Sequence, residues 1–320
     1  MKARYDIQLM VQVSKMYHME GLTQEKIAQQ LGISRSAISM ILSEAKEFGI
    51  IEINIKDPKK NVTEVSDEFV RRFGLKGCLV VPTSIESPRL INKVVASQGA
   101  DFAEDIFKSH STIGIAWGST CYEFVLSYAN RNKLSDVNVV PLTGGTQYVS
   151  LEYQLNEIVR MFAEKLQGSP SFIYAPALAE SIADKELYMQ SMSMKSIVEK
   201  WSMMDAAIVS AGAPPDHYLN KMIGDPEQMK PIYDADDTKV IGDICARRFN
   251  LKGKFLDNDY NARLTSIDEV SLRNIQNVIC IAAGRQKVLS IIGALRTDVI
   301  NYLVTDELTA RTILKMLNEN

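Results

Sequence analysis

Residues 22–42 read LTQEKIAQQLGISRSAISMIL, and the spacing of their apolar side chains decides what the head of the chain can be. Thr23 is a good helix N-cap, and Ile27, Ala28 and Leu31 recur at helical spacing, so residues 24–31 form a short amphipathic helix. Gly32 stops it. Ser34 caps a second helix whose buried face is Ala37, Ile38, Ile41, Leu42 and Ala45, and which ends near Phe48 and Gly49. Two helices joined by so few residues must cross steeply. The crossing needs a small side chain at the approach (Ala28), a Gly that can take positive φ in the turn (Gly32), and a branched apolar residue to close the core (Ile38). An ordinary helical hairpin has no reason to meet all three requirements, whereas a helix-turn-helix does.

The outward face of the second helix starts with Arg35, Ser36 and Ser39 beside the cap Ser34, and carries Lys46 further along. Side chains at the start of such a helix reach base edges: Arg pairs bidentately with guanine, and Ser donates to or accepts from several bases. Thr23, Gln24 and Lys26 stand where the first helix meets the DNA backbone and are expected on phosphates. Residues 5–17 supply a preceding amphipathic helix (Ile7, Met10, Val13, Tyr17), and IIEINI at 50–55 alternates like a short strand or wing. One such domain makes few phosphate contacts, so dimerisation or higher assembly is expected. Residues 58–73, PKKNVTEVSDEFVRRF, read as a linker and then a helix. The expected division is a DNA-binding domain over 1–57 and an effector-binding and oligomerisation domain over 58–320, with 58–76 as its linker and helix.

Composition agrees with that division. The chain has 320 residues, 46% of them hydrophobic, enough for one large α/β domain with a small appendage. Its formal net charge is -3, but residues 1–60 hold nine Lys/Arg against seven Asp/Glu, leaving 27 against 32 for the rest. A mildly basic head on an acidic body is compatible with operator DNA as a partner. No apolar run approaches membrane-spanning length, and MKARYDIQLMVQV turns polar before a secretory core could form, so a cytoplasmic protein without a membrane partner is expected. Cys78, Cys121, Cys245 and Cys280 lie far apart with no CxxC or Cys/His cluster, which points to reduced, buried thiols and neither zinc nor disulfides.

Beyond Gly77 the pattern becomes apolar runs alternating with helical stretches, the signature of a mostly parallel sheet covered by helices. The expected strands are CLVVPT (78–83), STIGIAWG (111–118), VNVVPLTG (137–144), AAIVSAG (206–212), VICIAAG (278–284) and NYLVTD (301–306). In an open α/β sheet, ligands bind beyond the carboxyl ends of the strands, and several of these runs end there in Gly or a small polar residue. In WGSTCYEF, Gly118 lets backbone approach an anion, Ser119 and Thr120 offer hydroxyls, and a helix beginning near Cys121 offers free N–H groups. A phosphate cradle and an ordinary capped helix fit that stretch equally. Lys287, just past Gly284, can bring a cation to the same crevice or stand solvated at the surface. Asp243, after Gly242, can cap a helix or accept a sugar hydroxyl.

In their order, the helix-turn-helix head, IAWGST, VPLTGG, YQLNEIVRMFA, GDICARRF, AAGRQKVLSIIGALR and NYLVTDELTA resemble the SorC family of bacterial sugar-responsive transcriptional regulators, over nearly the whole chain. The resemblance implies a Rossmann-like effector domain related to sugar-phosphate isomerases and glucosamine-phosphate deaminases, a homotetramer, and a phosphorylated sugar or polyol as effector with no cofactor or metal. It further implies that Gly118, Ser119 and Thr120 hold the phosphate. Thr143, Gly144 and Gly145 would line the pocket from the next strand end with Gln154 and Asn156 nearby, and Asp243 and Lys287 would meet hydroxyls or a second anionic group. Some relatives carry a basic residue where Thr143 stands, so neither a second phosphate nor an imine is expected there. SAGAPPDH (210–217) lacks the GIG form common after that strand, and no residue is assigned in it.

The rival class is an active sugar-phosphate isomerase or deaminase with a DNA-binding head. Aldose–ketose chemistry needs a positioned base beside the carbonyl, and His18, His110 and His217 all fall away from the strand-end motifs. A regulator without catalytic residues is the expected reading. A ligand-free DNA-bridging protein leaves the polar strand ends without a purpose.

Overall fold

The computed structural model describes residues 5–51, 58–83, 85, 87–147, 150, 153–213 and 237–318, with backbone alone at 47 and 58–61. The chain divides into two compact units, Met1–Asp57 and Pro58–Asn320.

In the first unit, α1 (Ile7–His18), α2 (Gln24–Leu31) and α3 (Arg35–Glu47) enclose a core of Met10, Val13, Ile27, Ile38, Ile41 and Ala45. The Asp6 carboxylate accepts from the N–H groups of Gln8 (2.8 Å) and Leu9 (3.2 Å) and so starts α1. Thr23 Oγ1 accepts from Lys26 N (3.3 Å), and Ser34 Oγ from Ala37 N (3.1 Å). Gly32 closes α2 at φ 67°, the left-handed conformation a turn this tight requires. Three expectations need correction. Ile7 is 59% and Tyr17 37% exposed, and Ala37 is half-buried, because three short helices cover only a narrow stripe of each other. At 50–55, Ile50 and Ile51 both donate their N–H to the Ala45 carbonyl as a turn after α3; the remainder lies outside the described residues.

The second unit opens with α4 (Pro58–Phe73), helical from its first residue. The expected linker is absent from 58–73. Proline suits a first helical position, and Val62, Val65 and Phe69 are buried at helical spacing. There follow β1 (Gly77–Val81), α5 (Pro88–Glu104), β2 (Thr112–Ile115), α6 (Ser119–Ser127), β3 (Asn138–Pro141), α7 (Leu155–Lys165) and β4 (Ser169–Pro170). Next come α8 (Ile182–Gln190), α9 (Met192–Ser202), β5 (Ala206–Val209), β6 (Gly242–Ile244), β7 (Arg247–Phe249), α10 (Asp259–Ala262) and α11 (Glu269–Asn274). The unit ends with β8 (Asn277–Ile281), α12 (Val288–Leu295), β9 (Tyr302–Asp306) and α13 (Glu307–Asn318).

Seven strands form one parallel sheet in the order β1-β9-β8-β5-β2-β3-β4, and β6 and β7 form a separate antiparallel pair. Covered on both faces, the central strands are apolar throughout: all four residues of β5 are buried, as are Val278 to Ile281 of β8. The six expected strands are all present. The chain moves outward from β2 through β3 to β4, then returns to place β5 on the other side of β2. The order therefore reverses between β2 and β5, which opens a crevice at their carboxyl ends.

Candidate functional site

A cavity of about 180 Å³ lies at that reversal, lined by Trp117 to Thr120 after β2, Ser210 and Gly212 after β5, and Asp243, Cys245 and Lys287. Gly118 precedes α6 at φ 105°, a conformation closed to other residues without strain, and no side chain caps the helix behind it. Helix α6 begins at Ser119, two residues earlier than expected, so the N–H groups of its first turn belong to the signature itself. Ser119 is exposed; Thr120 is buried and donates its hydroxyl to Asn92 Oδ1 on α5 at 2.6 Å.

Lys287 reaches the cavity by a fixed route. The Asp306 carboxylate at the end of β9 accepts from Gly284 N (2.8 Å) and Thr309 N (3.0 Å), pinning the loop after β8. A 3-10 turn, Arg285–Lys287, then brings Lys287 Nζ to the Ala211 carbonyl at 2.6 Å. It is not a solvated lysine: burial pulls its ammonium below the ordinary lysine range, and the charge of Asp243 offsets part of that.

Asp243 lies on β6 and caps no helix. Its Oδ2 accepts from Ala246 N (3.2 Å) inside the two-residue turn of the β6–β7 hairpin. Burial raises its carboxyl above the usual aspartate range, against the lowering influence of Lys287, the Ala246 N–H and Arg248. The turn residues Cys245 and Ala246 take φ 52° and 65°, values that cost non-glycine residues about 1–3 kcal/mol each. That strained turn places Cys245 in the cavity wall. All four cysteines are free, and Cys78 is half-buried while the other three are buried. Burial pushes Cys121 and Cys280 up to about 12, so these thiols stay neutral.

Trp117 also lines a second, wider cleft of about 950 Å³, with Gly145, Gln147, Gln154, Tyr260 and Arg263 among its walls. The Arg248 guanidinium stacks on Tyr260, 3.5 Å from the ring centre, and steadies that wall. Gly118, Ser119, Thr120, Asp243 and Lys287 thus meet at one cavity, and Gly145 and Gln154 line its neighbour. Thr143, Gly144 and Asn156 join neither. Thr143 is fully buried with its hydroxyl on the Thr265 carbonyl (3.3 Å), and Gly144 N donates to the same carbonyl (2.8 Å). Asn156 clamps the backbone of Ile173, donating to its O (3.0 Å) and accepting from its N (3.2 Å). Trp117 and Cys245 also line the first cavity, with no role assigned to either from the sequence, and Ser210 and Gly212 reach it from SAG (210–212), a Gly-marked strand end whose residues carry no assigned role. His18 packs edge-on against Tyr17 and His110 pairs with Asp136 at the surface; neither lines either cavity, and His217 lies outside the described residues.

In the first unit, a groove of about 640 Å³ gathers Tyr17, Leu22, Thr23, Gln24 and Arg35. Lys26, Ser36, Ser39 and Lys46 are exposed, with the two serines continuing the Arg35 face. Thr23 and Ser34 are first of all helix caps.

Residues 11–47 match region 4 of sigma-70 factors, and residues 57–315 match the sugar-binding family described as "Putative sugar-binding domain". The sorbitol operon regulator of Klebsiella pneumoniae is 29% identical over 97% of this chain and 98% of its own, and the full-length structure of that regulator, SorC, superposes with a TM-score of 0.70 over 98% of this chain and 100% of its own at 28% identity. The chain belongs to the SorC family. As a SorC-family protein it is a DNA-binding transcriptional regulator controlled by a sugar effector. The deoxyribonucleoside regulator of Bacillus subtilis (strain 168) is a further relative, 27% identical over 97% of this chain and 98% of its own. No helix among the described residues is long and apolar enough to cross a membrane.

Proposed function

We propose that the sugar effector is phosphorylated, that its phosphate seats on the first turn of α6 at Gly118, Ser119 and Thr120, and that Lys287 supplies the balancing charge. One observation carries this reading: an uncapped helix start and a half-buried lysine, fixed on the Ala211 carbonyl, line the same cavity of about 180 Å³. Asp243 then accepts a sugar hydroxyl, and the body of the sugar or polyol extends past Trp117 toward Gly145 and Gln154. The regulated genes are a carbohydrate or polyol catabolic operon, in keeping with the names of the sorbitol and deoxyribonucleoside relatives. Arg35, Ser36 and Ser39 read bases, Thr23, Gln24, Lys26 and Lys46 hold phosphates, and Ser34 fixes the start of the reading helix. The protein works in the cytoplasm as a homotetramer, without cofactor or catalysis. The effector biases two arrangements of the assembly by its differential affinity for them, with a coupling of about 1–3 kcal/mol.

A thermal-shift panel of phosphorylated sugars and polyols, each beside its dephosphorylated form, tests this. At a hundredfold excess over Kd the correct compound stabilises by about 2.7 kcal/mol. Equal shifts from the dephosphorylated partner would remove the phosphate from the account. One observation favours a second reading: Asp243 and Lys287 share the cavity, and burial moves the carboxyl up and the ammonium down, toward each other, as in acid–base pairs tuned for proton transfer. Turnover of the stabilising compound would support that enzyme reading; stabilisation without turnover supports the sensor.

A further inference from the structure

The outward face of α3 carries one apolar side chain that the assignment of readers above leaves unused. Ser36, Ser39 and Ser43 are exposed, and Met40 stands among them at 43% exposure. Residues 36, 40 and 43 share one face of a helix, and Met40 lies one turn beyond Ser36, directly above the end that bears Arg35. The opposite face is spent on the core through Ile38, Ile41, Leu42 and Ala45. Met40 is not part of that core.

The chemistry of the major groove gives such a side chain a use. Arg and Ser read donors and acceptors, but among the four bases thymine also presents a C5-methyl group there, which only an apolar contact can recognise. Methionine is unbranched and flexible, with three rotatable bonds, and can follow a methyl group across a range of helix placements. We infer that Met40 is a specificity-determining residue that packs on the methyl of a thymine in the operator, one helical turn from the bases met by Arg35 and Ser36. The inference rests on α3 being the reading helix.

The full-length protein is used to enrich its recognition duplex from a random pool, and each thymine of that duplex is then replaced singly by deoxyuridine, which removes the methyl and leaves base pairing intact. At one or more thymines, wild type is expected to lose about three- to fivefold in affinity, the factor that one buried methyl commands. Met40→Ala should start about that much weaker on the thymine duplex and lose nothing on the change to uracil, whereas Met40→Leu should keep the discrimination. Indifference of wild type to every uracil overturns the inference, as does an equal loss in wild type and Met40→Ala at every position. Arg35→Ala, assayed alongside, separates the two levels. If it alters sequence preference while uracil is tolerated throughout, only the role of Met40 fails; if it leaves preference untouched, the reading of α3 fails with it.

Discussion

Gly212 and Asp243 are bridged backbone to backbone, Gly212 N donating to the Asp243 carbonyl at 2.8 Å, and a Cβ on residue 212 would lie 1.9 Å from Asp243 Oδ1. The absence of a side chain at 212 is what lets the carboxylate stand in the crevice wall. Gly212→Ala should therefore push Asp243 aside, lowering stability by about 1–3 kcal/mol and weakening effector binding more than operator binding. Chemical denaturation and an effector titration measured together check both halves. An alanine variant with unchanged effector affinity would show that the exact place of the carboxylate is immaterial.

Asp243 also predicts a pH dependence of stability. Its native pKa lies above its ordinary value of 3.8, so the native state binds more protons than the unfolded one between those two points. Stability is thus fullest below the ordinary value and falls as pH rises toward the native one. Asp243→Asn removes that loss: the ligand-free variant should melt above wild type near neutral pH, with the gap closing toward pH 4. Lys287 has the opposite sign, its lowered native pKa withdrawing stability below the ordinary lysine value, so the comparison has to be made at fixed Lys287. Melting curves of both proteins across pH decide the matter, and a gap that widens in acid would contradict it.

Thr120 is bound at 2.6 Å to Asn92, so its loss has a structural cost as well as a functional one. Thr120→Val should destabilise the protein by about 1–3 kcal/mol, because Asn92 loses a buried partner, and should blunt the response to effector while operator affinity holds. Loss of operator binding in the folded variant would argue against a role confined to the effector domain.

Arg35 is the first residue of α3 and is exposed beside Gln24 and Thr23 in one groove. Arg35→Ala should cost about 1–3 kcal/mol of operator affinity and relax the preference at one base position. Anisotropy titrations against a set of single-base operator variants measure both. A uniform loss over all variants would make Arg35 a phosphate contact instead.

What the sequence revealed follows from how each element signals itself. The parallel strands were legible because burial on both faces makes them continuous apolar runs such as AAIV and VICI, and the helix-turn-helix because its turn constrains Ala28, Gly32 and Ile38 together. The β6–β7 hairpin was not. Its two-residue turn is Cys245-Ala246, where such turns advertise themselves with Asn-Gly or Asp-Gly, and its strands are three residues long. Edge strand β4 is two residues with a proline, below any periodic signal. The resemblance gathers Gly118–Thr120, Asp243 and Lys287 at one site, but no spacing in the sequence does, since β6 and the end of β8 meet β2 only through tertiary topology. Thr143, Gly144 and Asn156 are set at the pocket by the resemblance alone; their backbone partners, Thr265 and Ile173, are distant in the chain and leave no local signal.

The central claim is that an anion at the start of α6 is felt by the helices that hold the operator. The most direct measurement is operator affinity titrated with the phosphorylated compound that stabilises the protein, in wild type and in Lys287→Met. The account predicts a change of about 5- to 150-fold in wild-type operator affinity, in either direction, and a much smaller change in the variant at the same concentrations. An operator affinity that does not move when the effector site is saturated, or one that moves equally in both proteins, would contradict it.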